Sequence, residues 1–405
     1  MKKIAVFTGN RSEYGLLISV LNAINQNPKL EYKLIVSGSH LDEDFGESVK
    51  EIQRDGFQIN VSIKIDIDTD SLNSNVTAIG SGIIKIGEAI QLLKPDFMIV
   101  YGDRSEALAA VIASTQMNIA TVHIEGGDLT EGGALDDSVR HAMTKLCHLH
   151  FTTNEQSSMR VLGMGEEKWR VHNVGLLALD MIAEGNFASS KEVVEKLQID
   201  LKKPILLFTQ HSVTTEFELS GDQINASLCA LEKLAKMDIQ VIVTYPNNDA
   251  GGRKIIEKIQ LFNKKSILGF QIHKSLGRYF YHGVLALARD KSIRVASVGN
   301  SSSGIKETPV FGCPTVNIGS RQSGRLRGQN VIDVNYIEKD IIEACLVCFE
   351  DEKFRKLSHD TDNPYYSLHS GKQIADVLAS INIDKKLMRK KMTLSGEVSK
   401  DGWFR

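Results

Sequence analysis

Phe97-Met98-Ile99-Val100-Tyr101-Gly102-Asp103-Arg104 is an apolar run that stops abruptly in glycine and charge. A short continuous apolar run closed by turn residues reads as a strand buried on both faces, the kind found in parallel sheets. The pattern recurs on either side. Upstream, Ile4-Ala5-Val6-Phe7 ends in Thr8-Gly9-Asn10-Arg11, and Leu34-Ile35-Val36 ends in Ser37-Gly38-Ser39-His40. Downstream, Ala120-Thr121-Val122-His123-Ile124 ends in Glu125-Gly126-Gly127. The second half repeats it: Ile205-Leu206-Leu207-Phe208 runs into Thr209-Gln210-His211, Val241-Ile242-Val243 into Tyr245-Pro246-Asn247-Asn248-Asp249, and the run from Val295 to Val298 into Gly299-Asn300-Ser301-Ser302-Ser303-Gly304. In open parallel sheets, ligands bind beyond the carboxyl ends of the strands. The polar residues therefore gather where such folds do chemistry, in both halves of the chain.

Helical segments alternate with these strands: residues 14–26, 76–93, 104–115, 137–146 and 155–162, then 223–237, 253–262, 277–289 and 338–349. Such alternation means βαβ units with right-handed crossovers and helices on both faces of each sheet. At 405 residues the chain is too long for one ordinary core, so two domains are expected. Residues 179–201 are helical and charged and lead into Lys202-Lys203-Pro204, which marks the boundary. The expectation is an N-terminal α/β domain over 1–182 and a second over 202–362. A final helix within 365–384, after Asp362-Asn363-Pro364, is expected to cross back and complete the first domain. Residues 385–405 hold Lys385, Lys386, Arg389, Lys390 and Lys391 with little periodicity and read as a solvated or loosely docked basic tail.

Composition excludes several classes. A hydrophobic content of 42% and a charged content of 24% are those of a soluble globular protein. The formal charge of −2 gives no electrostatic case for nucleic acid or an anionic membrane as partner. No apolar stretch approaches the roughly 18 residues needed to span a bilayer. The apolar run after Met1-Lys2-Lys3 stops at Phe7, too short for a signal-peptide core, so the cytoplasm is the expected compartment. Five scattered cysteines argue against a disulfide framework. Cys345 and Cys348 lie three apart on an amphipathic helix and read as core residues, with no second pair or nearby histidine to complete a zinc site.

The motifs narrow the chemistry further. There is no G-x-G-x-x-G, since Gly80-Ser81-Gly82 lacks the third glycine, and no P-loop, so dinucleotide redox and P-loop chemistry are unsupported. The serine-rich Gly299 to Gly304 turn lies between a strand and a helix expected to start near Gly304. Free N–H groups, a helix dipole and hydroxyls would suit phosphate, with Arg321 and Arg325 on a later loop; a plain N-cap is the simpler reading of one serine but not of three. Asp103 follows a strand and could act as a base or pair with Arg104. Glu125 follows another, and Asp136-Asp137 opens a helix that continues Ser138-Val139-Arg140-His141. Capping explains one of these acids, not the set, and carboxylates near one another shift each other's pKa in the direction acid–base work needs. His141, His148 and His150 make no recognisable metal motif; His211, at a strand end, is better placed for function.

Together these stretches resemble the UDP-N-acetylglucosamine 2-epimerase family, in particular its hydrolysing branch from sialic-acid-type and legionaminic-acid sugar biosynthesis. The resemblance is carried by Gly9-Asn10-Arg11-Ser12-Glu13-Tyr14, Gly38-Ser39-His40-Leu41, Gly102-Asp103-Arg104, His123-Ile124-Glu125-Gly126-Gly127, Asp136-Asp137-Ser138-Val139-Arg140-His141-Ala142, His211-Ser212-Val213-Thr214-Thr215, the serine turn with Glu307, and Gly319-Ser320-Arg321-Gln322-Ser323-Gly324-Arg325. It implies a GT-B-like fold, two doubly wound Rossmann-like domains facing a cleft. It implies Asp103, Glu125, Asp136 and His211 as catalytic groups. Arg11, His40, Arg104, Asn247, Ser301, Ser302, Glu307 and Arg321 would be nucleotide or substrate contacts. No metal or cofactor is implied. The partners are a nucleotide sugar and UDP, and the assembly a homodimer or homotetramer. One departure stands out: where the family often has Ser-Gly-Thr-Ile, this chain has Leu129-Thr130-Glu131-Gly132-Gly133-Ala134-Leu135, which leaves UDP-N-acetylglucosamine, UDP-N,N′-diacetylbacillosamine and GDP relatives open as substrates.

The implied chemistry is loss of the C2 proton and of UDP from C1, giving a 2-acetamidoglucal, followed by addition of water to release the free 2-epimer. Gly126-Gly127-Asp128 after Glu125 follows the hydrolysing relatives. A GT-B glycosyltransferase, a non-hydrolysing 2-epimerase and a nucleotide-sugar-binding regulator remain as alternatives.

Overall fold

The structure is a computed structural model and describes residues 1–41, 49–65, 72–130, 135–247 and 251–393, without the side chains of Arg11, Ser12, Ser39, Thr214 and residues 72–75. Residues 131–134 of the glycine-rich loop, Asn248 and Asp249 of the motif that follows Val241-Ile242-Val243, and tail residues 394–405 lie outside the described residues. Contacts divide the described chain into two units. One comprises the described residues of Met1–Asp128, Leu135–Asp180 and those from Tyr365 on; the other comprises Leu129, Thr130 and Met181–Pro364.

Among the described residues of the first unit, the strands are β1 (Lys2–Thr8), β2 (Leu30–Ser37), β3 (Ile59–Ile63), β4 (Phe97–Tyr101), β5 (Ala120–Ile124), β6 (Leu149–Thr152) and β7 (Val171–Asn173). They pair in parallel in the order β3-β2-β1-β4-β5-β6-β7. β4 and β5 are buried at every position, as their unbroken apolar runs require of strands covered on both faces. Strand order reverses between β1 and β4, the point at which such sheets open a crevice. Helix Arg11–Gln26 starts there. Asn10 caps it by accepting from the Glu13 N–H at 3.0 Å, and Leu17, Leu21 and Ile24 bury its inner face.

The second unit repeats the plan with β8 (Ile205–Thr209), β9 (Gln240–Thr244), β10 (Phe270–His273), β11 (Val295–Gly299), β12 (Thr315–Ile318) and β13 (Val331–Val334), parallel in the order β10-β9-β8-β11-β12-β13. Helices Ser220–Lys236 and Glu338–Glu350 cover one face, and Cys345 and Cys348 sit in that core as free thiols. Each unit is a doubly wound, Rossmann-like α/β domain, so the chain is GT-B-like in class.

Helix Ser370–Ser380 packs in the first unit, with the Asp180 carboxylate accepting from the Ser370 and Gly371 N–H groups at 2.8 Å each and so capping its N-terminus. Two sequence expectations need correction. The tail is not loose where it is described. Arg170, fully buried, donates to the carbonyls of Lys386 at 2.7 Å and Leu387 at 2.8 Å. The Lys390 ammonium reaches the Lys145 carbonyl at 2.7 Å and the Glu166 carboxylate at 2.8 Å. A buried guanidinium and a buried carboxylate must be paired, and the tail adds to the partners that Glu167 gives Arg170 and that Lys145 and His150 give Glu166. The second correction concerns span length: Val76–Leu93 has a mean hydropathy of 1.4 over 18 residues, long and apolar enough to cross a bilayer. In the fold it belongs to a helix lying on helix Ser105–Gln116, with Ala78, Ile86, Ala89 and Ile90 in the core.

Candidate active site

In the first unit the carboxyl ends of β4 and β5 bring an acidic set together. Tyr101, the last residue of β4, donates its hydroxyl to the Glu125 carboxylate. Burial, with that carboxylate adding to it, pushes the phenol well above its ordinary range, so it stays a donor. Glu125 itself sits in the left-handed region at φ +67°, an unfavourable backbone for a non-glycine residue that the surrounding structure must hold. Its N–H is fixed to the Phe151 carbonyl at 2.9 Å. Two residues on, Gly127 has φ +75°, and a Cβ there would stand 2.4 Å from the Ser157 carbonyl, so glycine is required for the turn to pass.

Helix Leu135–Leu146 brings Arg140 into the same place. Its guanidinium pairs with the Asp103 carboxylate and donates to the Glu125 carbonyl at 3.1 Å. Burial alone would weaken its charge, but Asp103, Asp128, Glu125 and Asp137 more than offset that and raise its pKa. Asp136 lies one turn before Arg140 on the same helix face. Arg140 is thus the hub that gathers Asp103, Glu125 and the helix of Asp136. Beneath them, buried His123 holds the Gly102 carbonyl at 2.7 Å and Thr144 at 3.0 Å. Burial lowers its pKa to about 3, so it is neutral and orients the Gly102–Asp103 turn.

The other first-unit candidates are placed around β1. His40, expected among the substrate contacts, is fully buried and its ring binds the Thr8 hydroxyl at 2.9 Å; burial lowers its pKa to about 4. It supports the Thr8–Asn10 turn from behind. Arg11 opens helix Arg11–Gln26, and its side chain lies outside the described residues. Arg104 is half-buried next to Asp103, with Nε 3.8 Å from the Glu106 carboxylate.

In the second unit the organiser is Asn300, fully buried after β11. Its side chain accepts from the His211 N–H at 2.7 Å and donates to the His211 carbonyl at 2.9 Å. Its carbonyl accepts from Arg321 at 3.2 Å and Gln322 at 2.9 Å. His211 in turn accepts at Nδ1 from the Asn247 N–H at 3.0 Å, which puts the proton of the neutral ring on Nε2. Asn300 therefore ties together His211, Asn247, Arg321 and the serine turn. Gly299, at φ +125°, makes this possible: a Cβ would lie 2.0 Å from the Thr209 carbonyl. Ser301 and Ser302 are half-buried on the turn. Glu307 lies behind it, accepting from Ser303 at 2.8 Å and His282 at 2.9 Å. Burial pushes its pKa up, but those donors outweigh it and lower it.

The helix expected from Gly304 is only the four residues Ser303–Lys306. One turn sums little dipole, so any anion affinity here comes from turn N–H groups, hydroxyls and Arg321 rather than a macrodipole. Arg325 donates to the Thr130 hydroxyl at 2.8 Å and the Gln322 side chain at 2.6 Å, so it braces Thr130 and its own loop. Sequence reasoning missed Tyr101, Arg140 and Asn300 as organisers. Each carried a faint signal: a polar tip ending an apolar strand, an arginine four residues after Asp136, an asparagine directly after a strand-ending glycine.

The chain is similar in sequence and in fold to known proteins. A family model described as UDP-N-acetylglucosamine 2-epimerase matches residues 22–379. A GDP/UDP-N,N′-diacetylbacillosamine 2-epimerase (hydrolyzing) of Campylobacter jejuni is 36% identical over 332 residues, 82% of this chain and 84% of that protein. A UDP-N-acetylglucosamine 2-epimerase of Neisseria meningitidis is 32% identical over 379 residues, 93% of this chain and 95% of that protein. The crystal structure of a UDP-GlcNAc 2-epimerase from Neisseria meningitidis bound to UDP-GlcNAc superposes with a TM-score of 0.78 at 18% identity, covering 93% of this chain and 99% of that one. The fold and the two polar sheet edges define a GT-B-like α/β protein of two Rossmann-like domains. Within that class, the chain belongs to the UDP-N-acetylglucosamine 2-epimerase family.

Proposed function

We infer that the chain is a hydrolysing nucleotide-sugar 2-epimerase. It would take UDP-N-acetylglucosamine or UDP-N,N′-diacetylbacillosamine and water to UDP and the free 2-epimer, a sugar of the kind used for sialic and legionaminic acids. The observation that carries this reading is the gathering of Asp103, Glu125 and the helix of Asp136 around buried Arg140. The reaction needs two proton transfers. A base takes the C2 proton while the C1–O bond breaks and UDP leaves with the electron pair. Water then adds, its oxygen to C1 and a proton to C2 from the face that gives the epimer. Several carboxyl groups in one place suit that sequence. The hydroxyls of Ser301 and Ser302, Arg321 and the His211–Asn247 pair in the second unit suit a departing diphosphate. The hydrolysing reading is further supported by the name of the Campylobacter jejuni relative.

The test incubates purified protein separately with UDP-N-acetylglucosamine and UDP-N,N′-diacetylbacillosamine and measures UDP and free sugar. Equal amounts of UDP and free 2-epimer from one of them is the expected result. Accumulation of the 2-epimeric nucleotide sugar means the non-hydrolysing reaction. UDP release that needs an acceptor means a glycosyltransferase, and binding without release refutes catalysis.

A further inference from the structure

Glu13 is a buried carboxyl that the chemistry above does not use. It is 6% exposed, in the first turn of helix Arg11–Gln26, at the point where strand order reverses between β1 and β4. Its Oε2 accepts from the Gly9 N–H at 2.9 Å. Its Oε1 is buried without a hydrogen-bond partner. A capping role accounts for Oε2 and leaves Oε1 unexplained. On the other side of Gly9 stands a second carboxyl: a Cβ added to Gly9 would be 3.1 Å from Cβ of Glu106, itself 3% exposed. Two carboxyls buried around one glycine cannot both ionise cheaply. The charged groups that face Glu13 are Glu106, Arg104 and Asp103, with His40 behind the turn at Thr8. Arg104 is the one cation among these described groups, and its Nε is 3.8 Å from Glu106.

We propose that Glu13 is a positioning residue of the first unit's site, a proton-holding carboxyl that, paired with Glu106, sets how firmly the Arg104 guanidinium is held back from an anion-bearing ligand. With Glu13 neutral, the cluster of Glu106 and Asp103 lacks a third negative charge, and the Arg104 guanidinium is held less firmly at the turn. With Glu13 ionised, that charge draws the guanidinium back onto the pair. Burial and the Glu106 charge raise the Glu13 pKa to about 8, so the change falls just above neutrality. The ligand is the nucleotide sugar of the proposed function, and the reading of Arg104 as a substrate contact rests on that proposal.

The coupling is read in the ligand-free full chain. Carboxyl-carbon NMR of glutamate-labelled protein, with the Glu13 signal assigned by its loss in Glu13→Gln, should titrate near pH 8. Arg104→Met should move that midpoint upward, because a cation that favours the ionised form is gone. A midpoint below pH 6, or no movement in Arg104→Met, overturns the proposal. In turnover of UDP-N-acetylglucosamine, wild-type KM should rise about ten-fold per pH unit above the midpoint with kcat changing less, and Glu13→Gln should hold a flat KM to pH 9.5. An equal rise in both proteins also overturns it. Melting at pH 7 checks that each variant is folded. Failure of the wild type to turn over this substrate refutes the activity, not the proton-holding pair, which the ligand-free titration decides.

Discussion

Tyr101→Phe removes one oxygen from the site and nothing else. The hydroxyl and its acceptor are both buried, Tyr101 at 6% and Glu125 at 7% exposure, so no bulk water takes its place at once. A hydrogen bond to a charged acceptor contributes about 1.5–3 kcal/mol. Here it also restrains a side chain on a backbone with φ +67°, which the main chain holds through the N–H on Phe151 and the carbonyl that accepts from Arg140. If the whole loss falls on the transition state, kcat drops roughly 10- to 150-fold. With Glu125 as a reacting group, as proposed above, the phenol would orient it rather than bind the nucleotide, and KM should change little. The assay is coupled UDP release from UDP-N-acetylglucosamine at saturating substrate, with a thermal melt alongside. A kcat within two-fold of wild type, with the melt unchanged, would refute the claim that Tyr101 positions a catalytic carboxylate. A KM increase alone would move Tyr101 from orientation to binding.

Other consequences follow from the same geometry. Asn300→Ala removes both bonds to the His211 backbone and should weaken UDP binding at least ten-fold by calorimetry, more than Ser301→Ala; unchanged affinity would mean that the turn holds its shape without it. Lys390→Met leaves Glu166 short of a partner in a buried site and uncaps the end of helix Leu135–Leu146, so melting should fall by several degrees, with Lys390→Arg recovering part of it. Glu13→Gln alters the pH dependence of stability with a definite sign. Between the ordinary 4.5 and about 8 the folded wild type keeps a proton that the unfolded chain has lost, so its stability falls by about 1.4 kcal/mol per pH unit across that window. The variant lacks that slope, and its melting advantage over wild type should grow from pH 5 to pH 8.

Much of this was legible in sequence because the signals were local. Val100-Tyr101-Gly102-Asp103 and Ile124-Glu125-Gly126-Gly127 each state a buried strand and its polar end within a few residues, and parallel-sheet logic then puts those ends on one edge. The edge strands β7 and β10 were not legible, because Val171–Asn173 and Phe270–His273 are short and only half-buried and so carry no apolar run. Organisers that act across the chain were harder still. Arg140 meets Asp103 from 37 residues away, and Arg170 meets Leu387 from 217, distances that composition and periodicity do not encode. The tail looked soluble because lysine usually is; Lys390 is docked because Glu166 and the end of a helix, far off in sequence, require a cation. The four-residue Ser303–Lys306 helix shows the opposite failure: a helix is expected near Gly304 for its dipole, and one turn supplies little of it.

The reaction in D₂O tests the central claim most directly. The chain is incubated with UDP-N-acetylglucosamine in D₂O and the products are read by NMR and mass spectrometry. Elimination followed by hydration at the carboxyl set around Arg140 predicts free N-acetylmannosamine carrying one deuterium at C2, with UDP released in equal amount. Free N-acetylmannosamine without deuterium at C2 would contradict proton loss to solvent-exchanged carboxyls, and stable UDP-N-acetylmannosamine would contradict hydrolysis.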